Sequence, residues 1–375
     1  MRIGILTLPQ ETNYGGILQA FALQRTLRKM GHDAITIDRH NRKGYSSLFV
    51  HIAGYCKRLM QHFFLGRKNV PIKWNPNISP DEYKLASGET QKFIERNILL
   101  TRSVFSDELT EIEKEYQFDA YVVGSDQVWL EYYCPSSFLS FVHREGVKRV
   151  CYAASCGKKS FFNYPDKVKQ CRNLAPLFDG ISVREDFLIP LCKDKLGVDA
   201  QWVLDPTMLL EPQDYLDASV CNVDNTPILF SYILDPDHEK DTIVNSIAEI
   251  LSVPIVNGNR VYEIGSSPVY PPVDDWLYNI QRAKFVVTDS FHGTIFSILF
   301  NKPFISIGNS KRGLARFQSL LGRFGLEDRL VQDVEFDDLL ETMRRPIDYI
   351  LVNSIIREER SKSIDFLIKA LKEND

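Results

Sequence analysis

The chain lacks the signatures that would place it in a specialised class. Its seven cysteines, at positions 56, 134, 151, 156, 171, 192 and 221, are odd in number and include no CxxC pair. That pattern argues against a disulfide framework and a zinc site, and it fits a reducing cytosol. No apolar run approaches the ~18 residues of a membrane span. The opening Met1-Arg2-Ile3-Gly4-Ile5-Leu6 reads as a strand with no signal peptide ahead of it, so a cytoplasmic protein is expected. A net charge of −4 gives no general basis for binding nucleic acid. There is no GxGxxG fingerprint, no serine in a nucleophile elbow, no His/Asp/Glu cluster with metal spacing, no internal repeat and no low-complexity tract. A dinucleotide, a serine-hydrolase centre and a bound metal are therefore not implied, and no cofactor is expected.

What is present is an ordinary globular composition, 44% hydrophobic and 25% charged, over 375 residues. That length exceeds what one core usually supports, so two domains of about 150–200 residues are expected. The most informative stretch is residues 284–308, KFVVTDSFHGTIFSILFNKPFISIG. Phe285-Val286-Val287 reads as a buried strand and Thr288-Asp289-Ser290 are all good N-cap residues. Ile295, Phe296, Ile298, Leu299 and Phe300 then give a helical apolar face, which Asn301-Lys302-Pro303 stops before a second strand at 304–307. In open parallel sheets, ligands bind beyond the carboxyl ends of the strands, where helix N-termini point free N–H groups. Asp289, Ser290, His292 and Thr294 lie at such a point. Two readings fit the spacing: a capped helix with a satisfied turn histidine, or a ligand site.

The first half repeats the pattern. Residues 2–7 read as a strand, Asn13-Tyr14-Gly15-Gly16 as a turn, 17–30 as a helix and 33–38 as a second strand. The paired glycines either let backbone N–H groups approach an anion or only permit a tight turn. Residues 47–64, near Lys57, Arg58, Arg67 and Lys68, read as an inserted helix or as a basic amphipathic helix on an anionic membrane, so membrane contact is at most peripheral. Strand 118–123 ends in Gly124-Ser125-Asp126-Gln127-Val128-Trp129, and strand 149–154 in Ser155-Cys156-Gly157. Strand 180–183 ends in Arg184-Glu185-Asp186, and Val203-Leu204 leads into Asp205-Pro206-Thr207. Each ending alone is a cap or a turn; together they put polar side chains on one edge of a sheet.

The polar stretch 211–226 marks the junction. The expected domains are 1–212, with an insertion at about 41–110, and 226–350, with a terminal helix over 351–375 free to pack back on the first. In the second half, helix 240–251, strand 254–256 and helix 274–283 lead to the central unit, and the loop after it carries Lys311, Arg312 and Arg316. The fold class expected is α/β, two Rossmann-like domains facing a cleft. That cleft would hold His292, Arg184, Lys311, Arg312 and Arg316 with Asp126, Asp205 and Asp289, a set suited to a small, multiply charged anion.

NYGGILQAFALQ, VVGSDQVW, YAASCG, ISVRED, LDPTMLL and TDSFHGTIFSILFNKPF, in this order, resemble the polysaccharide pyruvyl transferases across nearly the whole chain. The resemblance implies a GT-B-like pair of domains. It also implies transfer of the enolpyruvyl group of phosphoenolpyruvate to two hydroxyls of a sugar in a surface-glycan precursor, as in exopolysaccharide biosynthesis, forming a pyruvate ketal and releasing phosphate. Arg184 would hold the donor's carboxylate or phosphate. His292 would be the general acid, protonating the methylene carbon or the leaving phosphate, a role that suits a side chain titrating near neutrality. Ser290, Gly293, Thr294, Lys311, Arg312 and Arg316 would complete the donor site. Asn13, Tyr14, Gly15, Gly16, Gly124, Ser125, Asp126, Gln127, Trp129, Ser155, Asp205 and Asp289 would face the cleft and acceptor.

Many members carry an arginine just before the histidine, as S-x-R-x-H, where this chain has Asp289-Ser290-Phe291-His292. An acidic residue cannot bind the donor's anions, so Lys311, Arg312 and Arg316 are expected to supply that charge, unless they form only a solvated basic loop. A glycosyltransferase using a nucleotide sugar on the same two-domain plan is the second reading, and a non-catalytic glycan-biosynthesis accessory protein the third. Trp129, Tyr132, Tyr133 and Tyr14 either stack on an acceptor sugar or simply pack. The acceptor is expected to be a saccharide, whether free, nucleotide-linked or lipid-linked.

Overall fold

Short apolar runs, too hydrophobic for a half-solvated sheet, build two all-parallel sheets covered on both faces. The computed structural model describes residues 1–40, 80–157, 162–220, 224–259, 269–308, 313–332 and 336–372. The helix expected at 47–64, with Lys57, Arg58, Arg67 and Lys68, lies outside the described residues, as do Lys311 and Arg312. No helix among the described residues is long and apolar enough to cross a membrane.

The first sheet contains β1 (Arg2–Leu6), β2 (Asp33–Thr36), β5 (Ala120–Val123), β6 (Lys148–Ala154), β7 (Gly180–Val183) and β8 (Gln201–Trp202), in the order β2-β1-β5-β6-β7-β8. A short pair, β3 (Arg39–His40) and β4 (Val104–Phe105), lies beyond it. The second sheet contains β9 (Ile228–Tyr232), β10 (Ile255–Asn257), β11 (Ala283–Thr288), β12 (Phe304–Ile307) and β13 (Leu330–Val331), in the order β10-β9-β11-β12-β13. Central strands β5 and β9 are buried at every residue, as a strand covered on both faces must be. Parallel pairing, such as Val122 beside Val150 and Val287 beside Ile305, brings the polar endings of successive strands to one edge. This is the GT-B-like plan of two Rossmann-like domains.

The terminal helix Tyr349–Leu371 crosses back to the first domain. Its Phe366, Leu367, Ala370 and Leu371 pack with Ile3, Ile5, Val122 and Val150, and Ser363 Oγ accepts the Leu204 N–H at 2.9 Å.

Two segments join the halves. The stretch 211–226 contains the helix Pro212–Asp217, fixed by a reciprocal Glu211/Asp214 capping box. Tyr215 in that helix places its ring 5.8 Å from Phe21 and 4.9 Å from Phe296, one in each half. Helix Pro80–Asn97, within the insertion expected at about 41–110, contacts both halves. Phe93 packs on Phe21 at 5.7 Å, while Arg96 donates to Asp274 in helix Val273–Arg282 at 2.6 Å.

Candidate active site

Arg184 follows the last residue of β7 with its side chain only 2% exposed. Its Nη1 donates to Asp205 Oδ2 at 2.7 Å, Nη2 to Asp126 Oδ1 at 3.3 Å and Nε to Glu185 Oε1 at 3.1 Å. Each carboxylate comes from the end of a different strand or from the next residue, so the sheet edge itself gathers them. Asp126 does so from a left-handed backbone, φ +67°, a conformation a non-glycine residue keeps only where its surroundings impose it. Asp205 is fixed further by Thr207, whose N–H and Oγ1 both donate to Oδ1, at 3.0 and 2.7 Å.

The charges adjust to one another. Burial pulls the Arg184 pKa down, but Glu185, Asp205 and Asp126 more than reverse this and raise it. Burial pulls Asp205 up, yet the imidazole of His292, the Arg184 guanidinium and Thr207 hold its carboxyl well below the usual carboxylate range. Burial pushes Glu185 up, and there it prevails over Arg184, Arg316 and Ser155. Glu185 Oε2 is buried and has no hydrogen-bond partner.

His292 enters from the other half as the second residue of helix Phe291–Leu299, whose N-cap Ser290 accepts the Gly293 N–H at 3.3 Å. Opposite it begins helix Tyr14–Lys29, capped by Asn13, which accepts the Gly16 N–H at 3.3 Å. A Cβ placed on Gly15 would lie 2.0 Å from His292 Nδ1; only glycine permits that approach. Two helix N-termini thus converge on one imidazole, and their positive ends favour an anion there. His292 Nε2 stands 3.7 Å from Asp205 Oδ2, too long for a hydrogen bond. It is buried and has no hydrogen-bond partner. The Phe291 ring carries Arg184 at 4.4 Å and Arg316 at 5.5 Å from its centre. A cavity of about 10 Å³, room for roughly one water, opens among Arg184, Trp202, Asp205, Phe291, Arg316 and Arg323.

The structure brings His292, Arg184, Asp126, Asp205, Gly15 and Arg316 together. Ser290 and Asn13 act there as helix caps, and Gly16 continues the first turn. Several other expected site residues face elsewhere. Asp289 is a correction: its side chain is fully buried, and its oxygens accept the N–H groups of Leu234 and Asp235 and the Nζ of Lys240 at 2.5, 3.1 and 2.8 Å. It closes the turn after β9 instead of facing the cleft. Trp129 is a second correction, 1% exposed and stacked on Phe138 at 5.3 Å, so its faces are not open to a sugar. Thr294 is a third, because its fully buried hydroxyl donates to Ser290 O at 3.1 Å and pairs with Ser306 at 2.6 Å.

Ser125 and Ser155 are also fully buried, bonded to Ala153 O and to the Gly157 N–H. Gly124 and Gly293 give close packing against Tyr152 O and Thr288, and Gln127 lies against Gly157. Tyr14 donates to Pro271 O at 2.8 Å and packs between Tyr232 and Trp276, joining the halves. Sequence reasoning missed Glu185, Phe291 and Thr207 as members. Glu185 adjoins Arg184 and Thr207 has Asx-turn spacing from Asp205, which were usable signals; Phe291 offered none beyond an apolar helical position.

The model of a protein family described as polysaccharide pyruvyl transferase matches residues 13–311. A search of curated proteins found no match. Among solved structures, the chain is similar to a glycotransferase of kitacinnamycin, with a TM-score of 0.51 and 12% identity over 99% of both chains. It is equally similar to the UDP-GlcNAc 2-epimerase of Neisseria meningitidis bound to UDP-GlcNAc, with a TM-score of 0.51 and 10% identity over 100% of both chains. At such identities the likeness concerns the fold, two Rossmann-like domains of GT-B type. The motifs on helix Tyr14–Lys29 and at the ends of β5, β6, β7, β8 and β11 are those that meet at Arg184 and His292, and the chain belongs to the polysaccharide pyruvyl transferase family.

Proposed function

We propose that this protein transfers the enolpyruvyl group of phosphoenolpyruvate to two hydroxyls of a saccharide acceptor, forming a pyruvate ketal and releasing phosphate. The observation that carries the reading is the His292 imidazole, with an unpartnered buried Nε2, set between two helix N-termini and beside two arginines. The helix ends and Arg316 suit the donor's phosphate and carboxylate. Three of the five N–H groups of Arg184 are taken by carboxylates, which leaves two for the donor. His292 gives a proton to the methylene carbon, and Asp205, held as the anion, steadies the imidazolium before that transfer. Positive charge develops at the central carbon, where one sugar hydroxyl adds and loses its proton. The carbon–oxygen bond to phosphate then breaks, phosphate leaves with the electron pair, and the second hydroxyl closes the ketal as it loses its proton.

A thermal-shift titration with phosphoenolpyruvate, UDP and GDP tests the donor, since a ligand that binds the folded state raises its apparent stability. Phosphoenolpyruvate stabilises wild type, less so Arg316→Ala; His292→Gln still binds the donor but no longer releases phosphate in the presence of acceptor glycan. Stabilisation by a nucleotide with none by phosphoenolpyruvate would overturn the reading in favour of a glycosyltransferase.

A further inference from the structure

Three carboxylates hold the Arg184 side chain, but where that side chain starts depends on its backbone. The Arg184 N–H donates to Ala154 O at 3.1 Å, and the Arg184 carbonyl oxygen accepts the indole N–H of Trp202 at 3.0 Å. Trp202 lies on β8, a two-residue strand at the edge of the sheet, paired with Ser182 and Val183 of β7. Among the described residues no strand follows it at that edge. Pairing this short fixes a side chain poorly, so the indole needs a second support. It comes from the other half. Arg323, near the end of helix Leu314–Phe324, places its Cζ 3.4 Å from the centre of the Trp202 ring, in contact with its face.

A cation is a demanding way to fill that space. The Arg323 side chain is 6% exposed, its Nε has no hydrogen-bond partner, and the Glu359 carboxylate of the terminal helix stands 3.6 Å from that Nε. Burial pulls the Arg323 pKa down to about 10, so the group stays charged at neutral pH. An apolar side chain of similar volume often serves stability as well as an imperfectly paired buried cation. What the guanidinium supplies is orientation: a flat cation lying on the indole face fixes the plane in which the indole N–H points. The same helix carries Ser319, one turn earlier, whose Oγ accepts the Asp186 N–H at 3.2 Å. This helix thus holds the chain at Arg184, through Trp202, and again two residues later. Arg184, Trp202, Arg316, Ser319 and Arg323 all line the one-water cavity beside Asp205, so the route from Arg323 ends at the site.

We propose that Arg323 is a positioning residue for Arg184, acting through the indole N–H of Trp202, so that the second half of the chain sets the arginine of the first. That Arg184 then holds phosphoenolpyruvate rests on the pyruvyl-transfer reading; the positioning does not. The test uses the full chain in two arms. Without ligand, amide hydrogen exchange is followed by mass spectrometry over residues 183–186 in wild type, Arg323→Met, Trp202→Phe and the double variant. Trp202→Phe keeps an aromatic face beneath Arg323 and removes the N–H. Each single variant speeds exchange there about tenfold or more. The double variant does so no more than the larger single, because both cut one route. Arg323→Lys, which keeps a charge over the ring but not a flat one, falls between. With phosphoenolpyruvate and acceptor glycan, the donor KM rises about tenfold in both single variants while kcat stays within about threefold, a split that a general loss of stability would not produce. Should Arg323→Met fail to fold, Arg323→Lys and Trp202→Phe carry the comparison. Exchange at 183–186 that matches wild type, or single effects that add in the double variant, overturns the proposal. Coupled exchange effects in a protein that does not respond to phosphoenolpyruvate would sink the donor assignment and leave the positioning standing.

Discussion

Arg184 and His292 meet in one cleft and are held in opposite ways. Arg184 donates to three carboxylates and is enclosed by them. His292, 3.7 Å from one of the same carboxylates, keeps a buried nitrogen with no hydrogen bond. The first arrangement stores stability, because each partner satisfies the others; the second leaves capacity for a substrate. Polar groups already fully bonded position a site, and those with unused capacity are where chemistry is expected.

The largest test of that contrast is a pair of substitutions. Arg184→Met strands three buried carboxylates, so unfolding free energy should fall by about 3–5 kcal/mol, read from the denaturant midpoint. His292→Gln should leave stability within about 1 kcal/mol while lowering phosphate release about 10²–10⁴-fold. Equal destabilisation by both would erase the distinction.

Gly15 gives a sharper version. Alanine there would push its Cβ to 2.0 Å from His292 Nδ1, whereas alanine at Gly16 would meet its nearest atoms at 3.6 Å. Gly15→Ala should therefore displace the imidazole and cost about 10²-fold in turnover, and Gly16→Ala should be nearly silent. A matching loss in both would mean that backbone freedom, not the approach to His292, is what the glycines provide.

The same contrast explains what could be read in advance. The strands were legible because each is a short apolar run ending in polar residues, and parallel pairing carries those endings to one edge. Residues 289–294 were read as one group, yet the structure divides them. The partner of Asp289, Lys240, sits 49 residues earlier in the chain, and nothing in the local spacing signals it. Trp129 likewise reads the same whether it stacks on a sugar or, as here, on Phe138. Helix Pro80–Asn97 carries Phe93 for one half and Arg96 for the other, so composition could not assign it to either. Side-chain direction is settled by tertiary partners, which one sequence does not display.

Asp289→Asn separates capping from binding at smaller amplitude. Removing its charge weakens the bond to Lys240 and the turn at Leu234–Asp235, which should cost about 1–3 kcal/mol. Donor affinity should stay as in wild type; a drop in phosphoenolpyruvate affinity at unchanged stability would return Asp289 to the cleft.

The smallest effect distinguishes two carboxyls on the same arginine. The folded pKa of Asp205 is depressed, so its stabilising contribution is whole above its unfolded value near 3.9 and is lost as pH falls through the folded value. Glu185 is raised, so its contribution is whole below an unfolded value near 4.3 and is lost as pH rises through the folded value. The deficit of Asp205→Asn relative to wild type should therefore shrink in acid. Glu185→Gln, which keeps a polar group beside Arg184 but cannot ionise, should gain on wild type as pH climbs from 4 towards neutrality. Each slope is limited to about 1.4 kcal/mol per pH unit, one proton's worth. Opposite slopes in the two variants would show that the guanidinium holds one partner as an anion and tolerates the other as an acid. Parallel slopes would mean that Asp205 and Glu185 ionise together and that the unpartnered oxygen of Glu185 plays no part in setting the charge of the cleft.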